Sequence, residues 1–448
     1  MTRHVLVGRF GADDKIEIPA ASDERLSVLQ LAVSKGLGHG IGRAIADLGD
    51  LGLTPSELGV DLLVVAAHVH AADTRLSRQT ESQDSWTREI RLVVPVSDPV
   101  RWRGAGAILD RALNFLTGDR WTVQFRGRPK DFPGLPARPP SLLPPAYDGV
   151  SLFSGGLDSL IGAIDTLKAG GKPLLVSHAG EGLVSKSQED CYSGLKAAFP
   201  KSTFARLRVW MAFKSGIADG VASEETTRGR SFLFFSLGVA AGTALPGGFQ
   251  LKVPENGLIA LNVPLDRLRL GALSTRTTHP FYMARWNELL GALGINGSVA
   301  NPYWDKTKGE MASACLDGSL LKTLAPASLS CSSPSKGRWK KLPQGHCGFC
   351  LPCLIRRASL LGQDTTVYSV PDLKAQVLST RKAEGQQVRS FQVAIARLAE
   401  RPDLAKILIH KPGPLSDAPA NQAALAGVYR RGLEEVGRLL AGVQTAPD

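Results

Sequence analysis

From residue 148 onward, short continuous apolar runs alternate with stretches in which apolar residues recur at helical spacing. Residues 149–153, 173–178 and 207–211 predict buried strands, and residues 160–168, 189–199 and 231–244 predict helices. Residues 257–261 predict a fourth strand. Buried strands alternating with helices imply an α/β doubly wound parallel sheet. Ligands of such sheets sit outside the carboxyl ends of the strands.

The chain before residue 129 reads differently. Residues 61–67, 90–95 and 121–125 predict strands and residues 105–116 a helix, which suggests a separate α+β domain over 1–128. His68, His70 and Asp73 would then follow a strand, where they serve either as metal ligands or as solvent-facing polar groups. The segment Asp84-Ser-Trp-Thr-Arg88 suggests a buried tryptophan beside a surface ion pair. Seven prolines fall within residues 129–145, and proline fixes φ and removes a backbone donor, so 129–147 reads as an extended linker. The predicted sheet spans 148–325, a cysteine-rich segment 326–362, and a mostly helical region 363–448, with residues 394–398 and 433–440 as examples. The most apolar stretch, 232–245, is broken by Ser236, Gly238 and Gly242 and stopped by Pro246, so it suits a core helix rather than a membrane span. No signal-peptide pattern opens the chain, so a cytoplasmic protein is expected.

Composition narrows the partners. With 448 residues and 43% hydrophobic content, the chain is expected to fold as two or three domains. A net charge of +12 suits an anionic ligand such as ATP, and admits nucleic acid or simply a solvated surface. No aromatic-and-basic repeat of a single-strand channel is present.

The chemistry concentrates in two places. Ser154-Gly155-Gly156-Leu157-Asp158-Ser159 lies between a predicted strand and a predicted helix. Glycines there permit close backbone approach, and the helix N-terminus attracts an anion. Asp158 adds a carboxylate that makes more sense beside a metal ion. No Gly-Lys-Ser/Thr follows, so this is not a Walker A loop; a tight turn that binds nothing is the plain alternative. The second place is Cys347-x-x-Cys350-x-x-Cys353, with Cys331 sixteen residues earlier. Four thiolates suit a closed structural zinc site, with an iron–sulfur cluster as the rival. Lys336, Arg338, Lys340, Lys341, Arg356 and Arg357 are placed to offset its negative charge. Cys191 and Cys315 read as core residues.

The glycine loop resembles the SGGxDS loop of the PP-loop ATP pyrophosphatases. Three further segments, in the same order, resemble the QueC family, the 7-cyano-7-deazaguanine synthases: Thr227-Arg-Gly-Arg-Ser-Phe-Leu233, Asp305-Lys-Thr-Lys-Gly-Glu-Met311, and Ser330-Cys331 followed by the triple-cysteine run. The resemblance covers residues 148–362. It implies ATP with Mg2+ held by Ser154, Gly155, Gly156, Leu157, Asp158 and Ser159, and zinc held by Cys331, Cys347, Cys350 and Cys353. It also implies catalytic roles for Asp158, Arg230 and Lys308, with Lys308 stabilising charge that develops during adenylation. Two family segments that line the substrate pocket are replaced here by His178-Ala-Gly-Glu-Gly182 and by Pro254-Glu-Asn-Gly257 with Ser274-Thr-Arg-Thr-Thr-His-Pro280. The enlarged layout is similar to the QatC group of QueC-like proteins in Qat anti-phage systems and to those of type IV CBASS operons. That likeness implies adenylation of a 7-deazaguanine carboxylate and its transfer to the N-terminal amine of a QatB-like partner protein from the same operon. It also implies that the extra N-terminal domain docks this partner. Nitrile synthesis with ammonia, tRNA modification and a non-catalytic nucleotide-binding scaffold stand as alternatives.

Overall fold

Residues 3–447 are described by a computed structural model, apart from 34–35, 83, 130–131, 133–145, 181, 215, 225, 267–275 and 336–343. Most of the proline-rich linker and the basic residues Lys336, Arg338, Lys340 and Lys341 lie outside the described residues.

Two parallel sheets organise the chain. The first contains β1 (Arg3–Arg9), β2 (Glu24–Gln30), β3 (Glu89–Val96) and β4 (Arg120–Gly127), in the order β2-β1-β3-β4. Every pairing in it is parallel, so this half is α/β rather than the α+β expected. Parallel neighbours need crossovers; α1 (Glu57–Arg75) lies between β1 and β3 in the chain, and α2 (Pro99–Thr117) between β3 and β4.

Residues 61–67 are therefore helical, not a strand. Ser56 caps α1 by accepting from Gly59 N–H at 3.2 Å, and residues 59–74 are all buried. A helix enclosed on every side has no polar face, so its sequence lacks the 3.6-residue rhythm that would have revealed it. His68 and His70 lie inside this helix rather than after a strand. Burial lowers both to about 4, leaving them neutral, and His68 Nδ1 lies 2.7 Å from the Val64 carbonyl. Asp73 joins a buried ionic network instead of a metal: its Oδ1 lies 3.1 Å from Arg78 and 3.2 Å from Arg88, and both arginines reach Asp119. The 84–88 segment reverses its expected burial. Arg88 is fully buried in this network, while Trp86 is half-buried with the Arg228 guanidinium 3.8 Å from its ring centre.

The second sheet contains β5 (Gly149–Leu152), β6 (Pro173–His178), β7 (Ala205–Val209), β8 (Phe249–Lys252) and β9 (Gly297–Ala300). Its order is β9-β8-β5-β6-β7, and all pairings are parallel. Residues 257–261 form a short helix, Gly257–Leu261, capped by Asn256; the fourth strand is β8 and the fifth is β9. Five apolar residues fit a buried strand or a buried helical turn equally well, so pattern alone could not separate them.

Both faces of this sheet are covered. On one, Leu174 and Val176 of β6 join the apolar cluster of α5 (Arg230–Gly242). On the other, Leu175 packs with Leu160, Ile161 and Ile164 of α3 (Leu157–Lys168). The buried α4 face, including Cys191, joins the second cluster from the helix Gly182–Ala198. The first cluster also contains Leu6, Leu92 and the apolar side chains of α1, so a continuous core joins the two sheets. A third cluster unites α7 (Leu351–Ser359), α8 (Ala383–Glu400) and α9 (Gln422–Leu440) with Leu258 and Leu261. No helix among the described residues is long and apolar enough to cross a membrane.

Candidate functional site

The strand order of the second sheet reverses between β5 and β8, which opens a crevice at their carboxyl ends. The glycine loop leaves β5 at this point. Gly155 has φ +79°, and a Cβ there would lie 2.9 Å from the Gln188 backbone nitrogen. Only glycine fits such a position without strain. Gly156 is extended at φ −82° and precedes α3, whose first N–H groups have no partner within the helix. Ser154 Oγ accepts from Gly156 N–H at 3.2 Å, and Ser159 Oγ donates to the Gly156 carbonyl at 2.9 Å. The two hydroxyls are 3.2 Å apart. Together they frame a small turn at a helix N-terminus, a setting suited to an anion.

Gly155→Ala is accordingly expected to cost about 1–2 kcal/mol from the left-handed backbone alone, plus the contact with Gln188. Gly156→Ala should cost less stability, because its φ is ordinary. It would still bring a methyl group to 3.2 Å from Ser154 Oγ, into the anion turn. Urea unfolding and titration with ATP would separate the two effects.

Asp158 and Lys308 meet beneath the loop. Lys308 Nζ lies 2.9 Å from Asp158 Oδ1, with side chains only 4% and 10% exposed. Asp158 Oδ2 accepts from Asn256 N–H at 3.2 Å and from Asn256 Nδ2 at 2.8 Å. Both carboxylate oxygens thus meet protein groups, Oδ1 the Lys308 ammonium and Oδ2 the two Asn256 nitrogens, which orders the start of α3. Lys308 opens α6 (Lys308–Ser313), which begins with a capping box between Thr307 and Glu310. The Thr307 hydroxyl donates to Glu435 of α9, and Arg431 of the same helix pairs with Glu310, so this C-terminal helix holds the start of α6 and its lysine in place.

Arg230 reaches the loop indirectly. It is the first residue of α5, and its Nε lies 3.3 Å from His178 Nδ1 at the end of β6. Burial, Arg230 and His70 push His178 down to about 3, so its ring is neutral. Gln188 Nε2 then donates to the carbonyls of His178 at 3.1 Å and Ser154 at 3.4 Å, completing the link. Asp73 of the first half accepts from Gly229 N–H at 2.7 Å, so the N-terminal sheet helps hold the residue before Arg230.

Three residues without an assigned role also lie here. Asn256 grips Asp158, and Glu255 precedes it with its carboxylate held by the Thr278 hydroxyl. Gln188 supports the turn. Asparagine's preference for the N-cap position is the signal that could have found Asn256; nothing local marks Gln188.

The four predicted cysteines converge. Their Sγ atoms all lie within 4.8 Å of one another, with Cys331–Cys350 at 3.8 Å and Cys347–Cys353 at 3.9 Å. A tetrahedral zinc with bonds of about 2.3 Å would place its sulfurs about 3.8 Å apart. The cluster could therefore hold one metal ion such as zinc; several irons would spread the thiolates more widely. Cys350 stands at the N-cap position of α7, and its N–H points to Cys347 Sγ at 3.2 Å. Arg356 and Arg357 do not supply the expected offsetting charge through direct contact. Arg356 bonds Ser328, Ala325 and Thr366, and Arg357 bonds the carbonyls of Gly348, Val370 and Pro371. Cys191 is buried as expected, whereas Cys315 is half-buried.

The metal segment also touches the glycine loop. Leu329 N–H donates to the Gly155 carbonyl at 2.8 Å, and the Ser187 hydroxyl lies 2.8 Å from the carbonyl oxygens of both Gly155 and Ala327. No family model, no curated protein and no solved structure matches this chain.

Proposed function

We propose that this chain is a QueC-like, ATP-dependent enzyme that adenylates a 7-deazaguanine carboxylate and couples it to an amine, the N-terminus of a partner protein in anti-phage defence. The observation that carries this reading is the Ser154–Ser159 turn at the switch point of a parallel sheet, with the buried Asp158–Lys308 pair directly beneath it. Helix N-terminal N–H groups and the two serine hydroxyls would receive the phosphates. Mg2+ would accompany ATP and neutralise phosphate charge. A substrate carboxylate oxygen bonds to the α-phosphorus as the bond to the β-phosphate bridge breaks, releasing pyrophosphate. Lys308 would stabilise the charge shifting at that phosphorus. Amine nitrogen then attacks the acyl carbon and AMP departs. Holding the two reactants in line supplies much of the rate. Zinc, in this reading, is structural.

The test is intact-mass spectrometry of proteins from the neighbouring operon genes, coexpressed with this chain or with its Asp158→Ala variant. A gain equal to one deazaguanine acyl group, present only with the intact loop, is the expected outcome. Conversion of 7-carboxy-7-deazaguanine and ammonia to the free nitrile, with no protein gaining mass, would replace this reading with a nitrile synthase. Absence of acid-dependent AMP formation would end both.

A further inference from the structure

We infer that Glu255 is the general base of the amine-transfer step, accepting the proton that the attacking amine must lose. This inference rests on the acyl-transfer reading above and assigns a group to the half-reaction that Lys308 does not serve.

Position is the first argument. Glu255 follows β8, on the opposite side of the switch-point crevice from the glycine loop. Its neighbour Asn256 holds Asp158 through both its backbone and side-chain nitrogens, which ties the Glu255 segment to that loop. Asn301 brackets the same peptide: its Oδ1 accepts from Glu255 N–H at 3.3 Å and its Nδ2 donates to the Glu255 carbonyl at 2.7 Å. The Thr278 hydroxyl engages Oε2, fixing the carboxylate's rotamer. Thr278 adjoins Thr277, whose hydroxyl lies 2.9 Å from Ser231 Oγ beside Arg230. A carboxylate held by Thr278, on a peptide braced by Asn301 and tied through Asn256 to Asp158, is well placed to act at one point.

Electrostatics is the second. Burial, against the downward pull of the Thr278 hydroxyl and Lys308 and with a push from Asp158, raises the Glu255 carboxyl to about 7. Asp158 and Lys308 are the charged groups facing it. Glu255 as a whole residue is half-buried. A base that titrates near working pH combines a usable deprotonated fraction with real basicity. Asp158, by contrast, is paired with Lys308 and held by Asn256.

The step balances without another reagent. The amine lone pair forms the C–N bond, and the acyl C–O bond breaks with its electrons leaving on AMP. The proton released from nitrogen passes to the Glu255 carboxylate and from there to water.

Glu255→Gln keeps the shape and the Thr278 contact but cannot take the proton. The experiment supplies the full chain with ATP, 7-carboxy-7-deazaguanine and a tripeptide bearing a free α-amine. It follows pyrophosphate exchange into ATP and amide formation separately. Amide formation is expected to fall about 10²-fold and to lose its rise with pH near 7, while exchange falls less than about tenfold. Hydroxylamine, largely unprotonated at neutral pH, should narrow the transfer deficit. Glu255→Asp should retain part of the pH-dependent rise. Equal losses in exchange and transfer, or no loss in transfer, would overturn the assignment. Absence of exchange in the unaltered chain would instead overturn the adenylation reading, and this one with it.

Discussion

Cys353→Ser is expected to abolish metal binding at the proposed zinc site and lower the melting temperature by more than about 10 °C, because structural zinc contributes on the order of 10 kcal/mol to small sites. Cys353 is fully buried, and Cys350 and Cys353 bracket the first turn of α7. Without metal, four thiols packed within 4.8 Å of one another would keep only weak sulfur hydrogen bonds to hold them together. The loss should not stay local. α7 sends Leu354 and Ile355 into the cluster of the C-terminal helices, and Arg356 fastens the 325–328 turn. That turn runs into Leu329, which bonds Gly155. Loss of the metal should therefore also weaken the ATP binding proposed for the glycine turn. Elemental analysis should find one zinc per chain, retained in Cys315→Ser and lost in Cys353→Ser. A metal-free chain that melts at the same temperature as the Cys353→Ser variant's parent would defeat this prediction.

The second large effect concerns the Asp158–Lys308 pair. Removing one partner of a buried pair strands the other charge, at a cost of about 3–5 kcal/mol. Lys308 is 3% exposed, and Asp158→Ala would remove the carboxylate paired with its ammonium, leaving only the more distant Glu255 carboxyl to oppose the charge. Lys308→Met should be milder, since Asn256 continues to donate twice to Asp158. Asp158→Asn combined with Lys308→Met removes both charges and should recover most of the stability. It should not recover activity, which is expected to stay about 10²–10³-fold down if the lysine stabilises the transition state. Urea unfolding of the three variants, beside AMP formation at saturating ATP, separates the structural contribution from the chemical one. Full activity in the stable double variant would remove Lys308 from the mechanism.

Residues close in sequence made the principal features legible. Strand, glycine turn and helix are contiguous at 149–168, and three of the four thiols lie within seven residues, so local pattern was enough to mark both. The alternation of buried runs with helical spacing likewise anticipated the second sheet, because strands covered on both faces must be apolar throughout. That same rule hid the nature of residues 61–67. A helix buried on all sides and a buried strand present similar continuous apolar runs, and only packing between the first sheet and α5 distinguishes them. The parallel pairing of the first sheet was equally invisible, since strand direction is set by crossovers and not by strand sequence. Lys308 was recognised, but its partner was not: an ion pair across the width of a domain exists only after α3 and α6 are packed together. Glu255 carried no local sign of its raised carboxyl, which arises from burial beside Asp158 at the sheet's switch point. The sequence by itself thus determined which short segments carry the chemistry. The tertiary structure decided how distant charges face one another, because desolvation and Coulomb energy depend on distance in space and not along the chain.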